Sequence, residues 1–342
     1  RQRGKYRDAV DLISRGHEIV DERTGKSGLL AGFDLLDRLG KIHEVPSEEK
    51  DALLADRYLA AQASGQSTLV VAPTHAEADR VTDRIREQLK ASGRIANSET
   101  ALIQLDSMNL SDAEKGEAST FSDREGVVIQ FHQNGKGGFK KGDRYKVMKA
   151  AEGQVEIESL EGSERALLPL HHANRFDAYQ ERRLGLAEGD KVRFTLGGKG
   201  ICGKRRISNG RMDEASGFDI DGNIMLKSGL KVDRSYGHLD LGYVVTSHAS
   251  QGKDRKIAIA AMGADALPAV NAKQFYVTVS RGSEDVAIYV DSKSDVRRAI
   301  QRSGQQLSAP ELIKTSPSAT ARHTAASAES HREAMRPTPR YR

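Results

Sequence analysis

The chain has a single cysteine, Cys202. One thiol excludes an intramolecular disulfide and any Cys-rich zinc site, and it fits a reducing, cytoplasmic setting. Long apolar runs are also missing. No stretch reaches the roughly 18 apolar residues that a spanning helix needs. The opening Arg1-Gln2-Arg3-Gly4 has neither Met nor an apolar core, so it does not read as a secretory signal. The sequence reads instead as a piece of a longer chain. Histidines do not gather into a ligand set. His171-His172 is the one adjacent pair, no third histidine lies near it in sequence, and a loop or capping pair is expected there.

A phosphate cradle is missing as well. It needs G-x-x-x-x-G-K-[ST], so that backbone N–H groups and one lysine surround the phosphates. Gly25-Lys26-Ser27 has Val20 where the first glycine must stand. Neither Gly198-Lys199-Gly200 nor Gly203-Lys204-Arg205 has a hydroxyl residue after its lysine, and both read as hairpin turns. Asp21-Glu22 resembles a metal-binding acidic pair but does not end an apolar strand, so it reads as loop.

Hydrophobic residues make up 37% of the 342, enough for a sizeable core, and charged residues 30%. The net charge of +5 is compatible with a polyanionic partner but does not demand one. Residues 1–64 read as a helical lead-in. Within residues 65–125, Thr68-Leu69-Val70-Val71-Ala72 is a short buried strand closed by Pro73. A helix follows to Ala91, with Ala78, Val81, Ile85 and Leu89 on its inner face and Gly93 ending it. Pro73-Thr74-His75 thus stands where α/β sheets place ligands.

Residues 126–240 change character. Short strand-like pieces such as Val127-Val128-Ile129-Gln130-Phe131 and Val192-Arg193-Phe194 alternate with glycine turns, including Asn209-Gly210 and Asp221-Gly222. That is the chemistry of a small barrel or meander. Residues 241–305 return to α/β, with buried strands at Tyr243-Val244-Val245-Thr246, Ile257-Ala258-Ile259-Ala260 and Val286-Ala287-Ile288-Tyr289-Val290. Residues 306–342 turn to Ser, Ala, Thr, Pro and Arg. From 313 onward six Lys or Arg face two Glu, and a disordered basic tail is expected.

Two segments carry chemistry. Thr246-Ser247-His248-Ala249-Ser250-Gln251-Gly252-Lys253 follows a buried strand and groups hydroxyl, imidazole and amide around a glycine. Such groups bond phosphates and bases. A plain polar strand-to-helix loop is the competing reading. Phe275-Tyr276-Val277-Thr278-Val279-Ser280-Arg281-Gly282 ends on an arginine suited to the charge that develops on a transferring phosphate. Alone, Arg281 reads more often as a surface ion pair.

In this order and spacing, the two segments resemble motifs V and VI of superfamily 1 helicases of the RecD-like branch. The similarity extends to the TrwC/TraI (MobF) conjugative relaxase-helicase family and covers roughly residues 1–300. The resemblance implies a RecA-like second motor domain interrupted by a small Src-homology-3-like barrel, to which Gly189-Asp190-Lys191-Val192-Arg193-Phe194 is similar. It implies that Pro73, Thr74, His75, Thr246, Ser247 and His248 contact single-stranded DNA. Gln251, Gly252, Lys253 and Arg281 would face the nucleotide. Arg281 would serve as an arginine finger, with Arg1 of a motif IV-like Arg1-Gln2 beside it. ATP and Mg²⁺ would be held mainly by the half of the motor that carries the P-loop, and the partners would be that half and a relaxase domain. The chain alone is expected to lack ATPase activity; the alternative is a non-catalytic DNA-binding or assembly remnant. One departure stands out. The family usually continues with Thr after the position of Lys253, where this chain has Asp254-Arg255-Lys256.

Overall fold

A computed structural model describes residues 4–17, 20–122, 124–201, 203, 205–250 and 252–303. The expected motif IV-like Arg1-Gln2, Gln251, Cys202 and the basic tail lie outside these. The chain divides into two compact units. One holds the described parts of residues 1–50 and 247–342, the other residues 51–246.

In the first unit three strands run parallel. Gly282–Val290 lies between Arg255–Met262 and Ile42–Glu44, with Ala260 opposite Ile288 and Ile288 opposite Ile42. Both neighbouring long strands read as near-continuous apolar runs because the sheet is covered on both faces. Helices Gly4–Ser14, Gly28–Arg38, Ala272–Val279 and Lys293–Ser303 cover the face that carries Ala258, Ala260, Met262, Val286, Ile288 and Val290. Tyr6, Val10, Ile13, Leu29, Phe33, Phe275, Val279, Val296 and Ile300 join the strand residues in one core. The lead-in is therefore not helical throughout. Ile42–Glu44 is too short to announce itself, and its partner strand lies far away in sequence.

The first two helices cross closely at Gly32. A Cβ there would lie 2.6 Å from the Ala9 carbonyl oxygen. Gly25, with a φ of +65°, closes a hairpin in which Val20–Asp21 pairs antiparallel with Lys26–Ser27.

In the second unit Thr68–Ala72 pairs in parallel with Val244–Thr246. Helix His75–Ala91 follows the first of these strands and buries Ala78, Val81, Ile85 and Leu89 at the expected spacing. The rest of the unit is antiparallel. A six-stranded sheet runs, in spatial order, Glu99–Ser107, Phe176–Ala187, Val127–Phe131, Arg144–Ala151, Gln154–Ser159 and Arg165–Leu167. A five-stranded sheet runs Lys231–Val232, Ile224–Leu226, Met212–Phe218, Lys191–Phe194 and Leu239–Leu241. The antiparallel region opens at Glu99, upstream of the glycine turns near 126 from which its start was expected. Gly198–Lys199 pairs with Arg206–Ile207, as its hairpin reading requires.

Asp190, fully buried, ties this unit together. Its carboxylate accepts from Arg86 Nε at 3.0 Å and from a terminal nitrogen of Arg86 at 2.7 Å. It also accepts from the Ala187 backbone N–H and the Tyr243 hydroxyl, at 2.8 and 2.9 Å. A buried carboxylate with four donors is satisfied, and bidentate pairing with arginine fixes geometry as well as charge.

Among the described residues no helix is long and apolar enough to cross a membrane.

Candidate nucleic-acid and phosphate interface

In the first unit Ser247–Ser250 forms a single helical turn after the strand that ends at Thr246. Ser250 is fully buried, and its hydroxyl donates back to the Ser247 carbonyl at 2.6 Å. His248 takes part in this turn through its backbone. Gly252 adopts a φ of +77°, the left-handed region that a side chain disfavours. The Lys253 backbone N–H then donates to the Ser250 carbonyl at 3.0 Å.

Helix Ala272–Val279 packs beside that turn. Asn271 caps it, its side chain accepting from the Gln274 N–H at 2.8 Å. An Asn cap satisfies one of the otherwise unbonded N–H groups of the first turn. Gln274 then reaches across, and its amide nitrogen donates to the Ser247 hydroxyl at 2.7 Å. The two segments expected to act together are thus joined directly by a side-chain hydrogen bond.

Arg281 follows the C-terminal end of this helix. Its Nε donates to the Val277 carbonyl at 2.9 Å and one terminal nitrogen to the Ser280 hydroxyl at 3.0 Å. The other terminal nitrogen pairs with Asp254 at 3.0 Å. The arginine side chain is only 15% exposed, so it is held rather than free to sample solvent. Behind it, the buried Tyr6 hydroxyl donates to the Val279 carbonyl and lies 3.2 Å from the Gly282 carbonyl. One phenol thus braces the backbone on both sides of Arg281. Burial, reinforced by Asp285, pushes the Tyr6 hydroxyl well above its ordinary range, so it stays a donor.

In the second unit the parallel pairing sets Thr246 opposite Ala72. That brings Pro73, Thr74, His75 and Thr246 to one edge, at the C-terminal ends of two neighbouring strands. The Thr74 hydroxyl caps the following helix, accepting from the Glu77 N–H at 3.2 Å. His75 is exposed. His75 and Thr246 line the same groove, of about 310 Å³.

The expected residues are therefore brought together as two sets. Pro73, Thr74, His75 and Thr246 share one unit. Ser247, His248, Gly252, Lys253 and Arg281 belong to the other. Three participants were not foreseen. Gln274 had a usable signal, one helical turn before Thr278 on the same face. Asp254 was noticed only as a departure, not as the partner of Arg281. Tyr6 gave none, because more than 270 residues separate it from the carbonyls it meets.

His171 and His172 lie in a short helical stretch with ring centroids 4.2 Å apart and the rings tilted by 46°. Among the described residues no group of three His, Cys, Asp or Glu side chains is placed to hold a metal ion.

No family profile matches the chain. Over 286 residues, 80% of its length, it is 23% identical to the multifunctional conjugation protein TraI of Escherichia coli. The TraI of Escherichia coli strain K12 is 24% identical over 288 residues. In both cases the chain spans only 16% of the length of the relative. Among solved structures, Bacteroides Pif1 bound to single-stranded DNA aligns with 92% of this chain and 53% of its own, at 14% identity and a TM-score of 0.28. Candida albicans Pif1 aligns with 87% of this chain and 57% of its own, at 13% identity and a TM-score of 0.29. Scores that low place no residue.

Proposed function

We propose that this chain, a segment of relaxase and superfamily 1 helicase type, works as one half of a DNA-translocating motor. The observation that carries the reading is the Gln274–Ser247 hydrogen bond at 2.7 Å. It couples the loop after Thr246 to the helix that ends beside Arg281. In such a motor a change at the nucleotide must reach the DNA grip. A hydrogen-bonded connection between two rigid elements is a physical route for it.

Arg281 is the residue proposed to meet the nucleotide. A guanidinium carries five N–H donors, and three are engaged by Val277, Ser280 and Asp254. The remaining donors suit a terminal phosphate presented by a second motor half. ATP and Mg²⁺ are proposed to be bound mainly by that half, since this sequence has no phosphate cradle. ATP hydrolysis there supplies the free energy for movement. Within this chain, Arg281 stabilises charge, the Gln251–Gly252–Lys253 segment directly precedes Asp254, the ion-pair partner of Arg281, and Tyr6 keeps the backbone around Arg281 in place. Arg1 is proposed as a second phosphate contact.

Pro73, Thr74, His75 and Thr246, with Ser247 and His248, are proposed to hold single-stranded DNA. The five-stranded antiparallel sheet is proposed as the Src-homology-3-like insertion of the RecD-like branch. By the same reading the physiological partners are the P-loop half and a relaxase domain, in the cytoplasm.

The test is complementation. This chain alone should show no appreciable ATPase activity, because lost phosphate-stabilising groups cost several kcal/mol each, on the order of 3 for a single donor. Adding the P-loop half of a related relaxase-helicase should restore DNA-stimulated turnover, and Arg281→Ala should abolish it. Turnover that survives Arg281→Ala removes the arginine from its assigned role. If the two halves never stimulate one another, the chain is a non-catalytic DNA-binding body.

A further inference from the structure

The groove lined by His75 and Thr246 takes its walls from helix His75–Ala91 and from strands Glu99–Ser107, Phe176–Ala187 and Lys191–Phe194. All lie within one compact unit. On the helix, His75, Asp79, Thr82 and Arg86 recur at intervals of three and four, so one face of it meets the groove. On the sheet, Gln104 stands directly opposite Arg182 in an unbroken antiparallel register. Opposed residues share a face of the sheet, and Arg182 reaches Asp79 of the helix at 2.8 Å. Gln104 therefore leaves the sheet on the helix side. Arg183, the next residue along, leaves the other side.

Charge in the groove is mostly matched. Besides Arg182 and Asp79, Arg193 pairs with Asp240 at 2.9 Å, and Arg86 pairs with Asp190 and Glu99. Asp83 has no ion pair among the described residues, and burial raises its carboxyl above the ordinary range. Hydrogen bonding is not matched. Gln104 is 9% exposed and Thr82 8%, and both line the groove. Neither side chain has a hydrogen bond among the described residues. Buried amides and hydroxyls normally have partners. These two keep their donors and acceptors for whatever enters the groove. With its guanidiniums paired, the groove does not favour a phosphate. It favours a neutral group that both donates and accepts, such as the edge of a nucleobase. A carboxamide sets a donor beside an acceptor, and the edge of adenine presents the complement, an amine beside a ring nitrogen. About 310 Å³ is room for a group of that size.

We propose that Gln104 reads a base of a DNA strand turned into this groove, adenine being the best match, with Thr82 as a second polar contact. The phosphates stay outside, along the edge that carries Thr74, His75 and Thr246. The proposal rests on the DNA reading above and deepens it. Phosphate contacts alone leave a grip sequence-blind, and Gln104 adds a contact to the base. Neither Gln104 nor Thr82 gives up a bond to the protein when replaced, so substitution should change binding and not stability.

The experiment uses this chain with two fluorescein-labelled 15-mers, one of deoxyadenosine and one abasic strand with the same phosphates, followed by anisotropy over a range of salt. The unsubstituted chain should bind the deoxyadenosine strand more tightly. Gln104→Leu should weaken that strand about tenfold, the worth of one bidentate base contact, and leave the abasic strand unchanged. Thr82→Val, a change of the same size, should act severalfold in the same direction. The salt slope should stay constant, since no phosphate contact is lost. Thermal midpoints should match that of the unsubstituted chain. Binding lost only in step with a lowered midpoint would make the two side chains packing residues and overturn the proposal. Equal affinity for the two strands, or a loss that both strands share, also overturns it and leaves the motor reading intact. So does competition by free dAMP as effective as by the 15-mer, per nucleotide, since the groove then serves free nucleotides. If the unsubstituted chain binds neither strand, the DNA reading fails and the base contact falls with it.

Discussion

Gln274 and Ser247 share a hydrogen bond of 2.7 Å, and Gln274 also donates to Thr278 one turn further along its own helix, at 3.2 Å. The amide is thereby held from both sides. It turns two sequence segments 27 residues apart into one mechanical element. Gln274→Ala should lower stability by about 1 kcal/mol, the net worth of a typical lost hydrogen bond. Urea unfolding measures this. Reconstituted with a P-loop half, the variant should also lose part of its stimulation by DNA; full stimulation would separate the hydrogen bond from coupling.

Tyr6 offers a cleaner removal. Tyr6→Phe keeps the ring in its buried site and deletes only the hydroxyl that meets the Val279 and Gly282 carbonyls. Leaving buried acceptors unmatched costs about 1–3 kcal/mol. Amide exchange should accelerate around residues 279–282 more than elsewhere in the same unit. Uniform exchange across that unit would mean that the hydroxyl does not brace the Arg281 backbone.

Asp190 should tolerate substitution poorly. Asp190→Ala leaves the Arg86 guanidinium buried with only Glu99 as a charged partner and removes the acceptor of the Tyr243 hydroxyl. Losing one member of a buried pair typically costs about 3–5 kcal/mol. The value here should fall at the lower end, because Glu99 remains. A denaturation midpoint close to that of the unsubstituted chain would contradict the central role given to Asp190.

His238 makes stability depend on pH. It is buried between Tyr179 and Tyr236, and burial, with Arg144 nearby, lowers its pKa from 6.5 to about 4. In the window between those values the unfolded chain binds a proton that the folded chain refuses. Stability therefore falls as pH falls from 6.5 toward 4, by about 1.4 kcal/mol per unit and about 3 kcal/mol in all. Above pH 6.5 this contribution is fully present. His238→Gln should flatten the slope in that window, and an unchanged profile would assign it to other groups.

Gly32 should reject even a methyl group. Its Cβ would meet the Ala9 carbonyl oxygen at 2.6 Å and the Ile13 backbone nitrogen at 2.9 Å, contacts that only a shift of the helix pair relieves. Gly32→Ala should destabilise by about 1–3 kcal/mol, as overpacking does, despite alanine's higher helix propensity. A stabilised variant, read by thermal melting, would show that the two helices have slack.

Local chemistry alone determined much of this protein. Five consecutive residues from Thr68 are apolar enough to be a buried strand, Ala78, Val81, Ile85 and Leu89 recur at helical spacing, and Asn209-Gly210 and Asp221-Gly222 punctuate the hairpins. These signals act over a few residues and need no partner. Arg281 and the loop from Thr246 were legible by type and order. Tertiary structure decided the rest. Glu99–Ser107 and Phe176–Ala187 mix polar and apolar residues, and they become strands because nine residues of each pair across the gap. Ile42–Glu44 is a strand only against Gly282–Val290. The partners of Arg281 and the brace from Tyr6 follow from which side chains already face one another. That depends on contacts between residues distant in sequence, which local spacing does not encode.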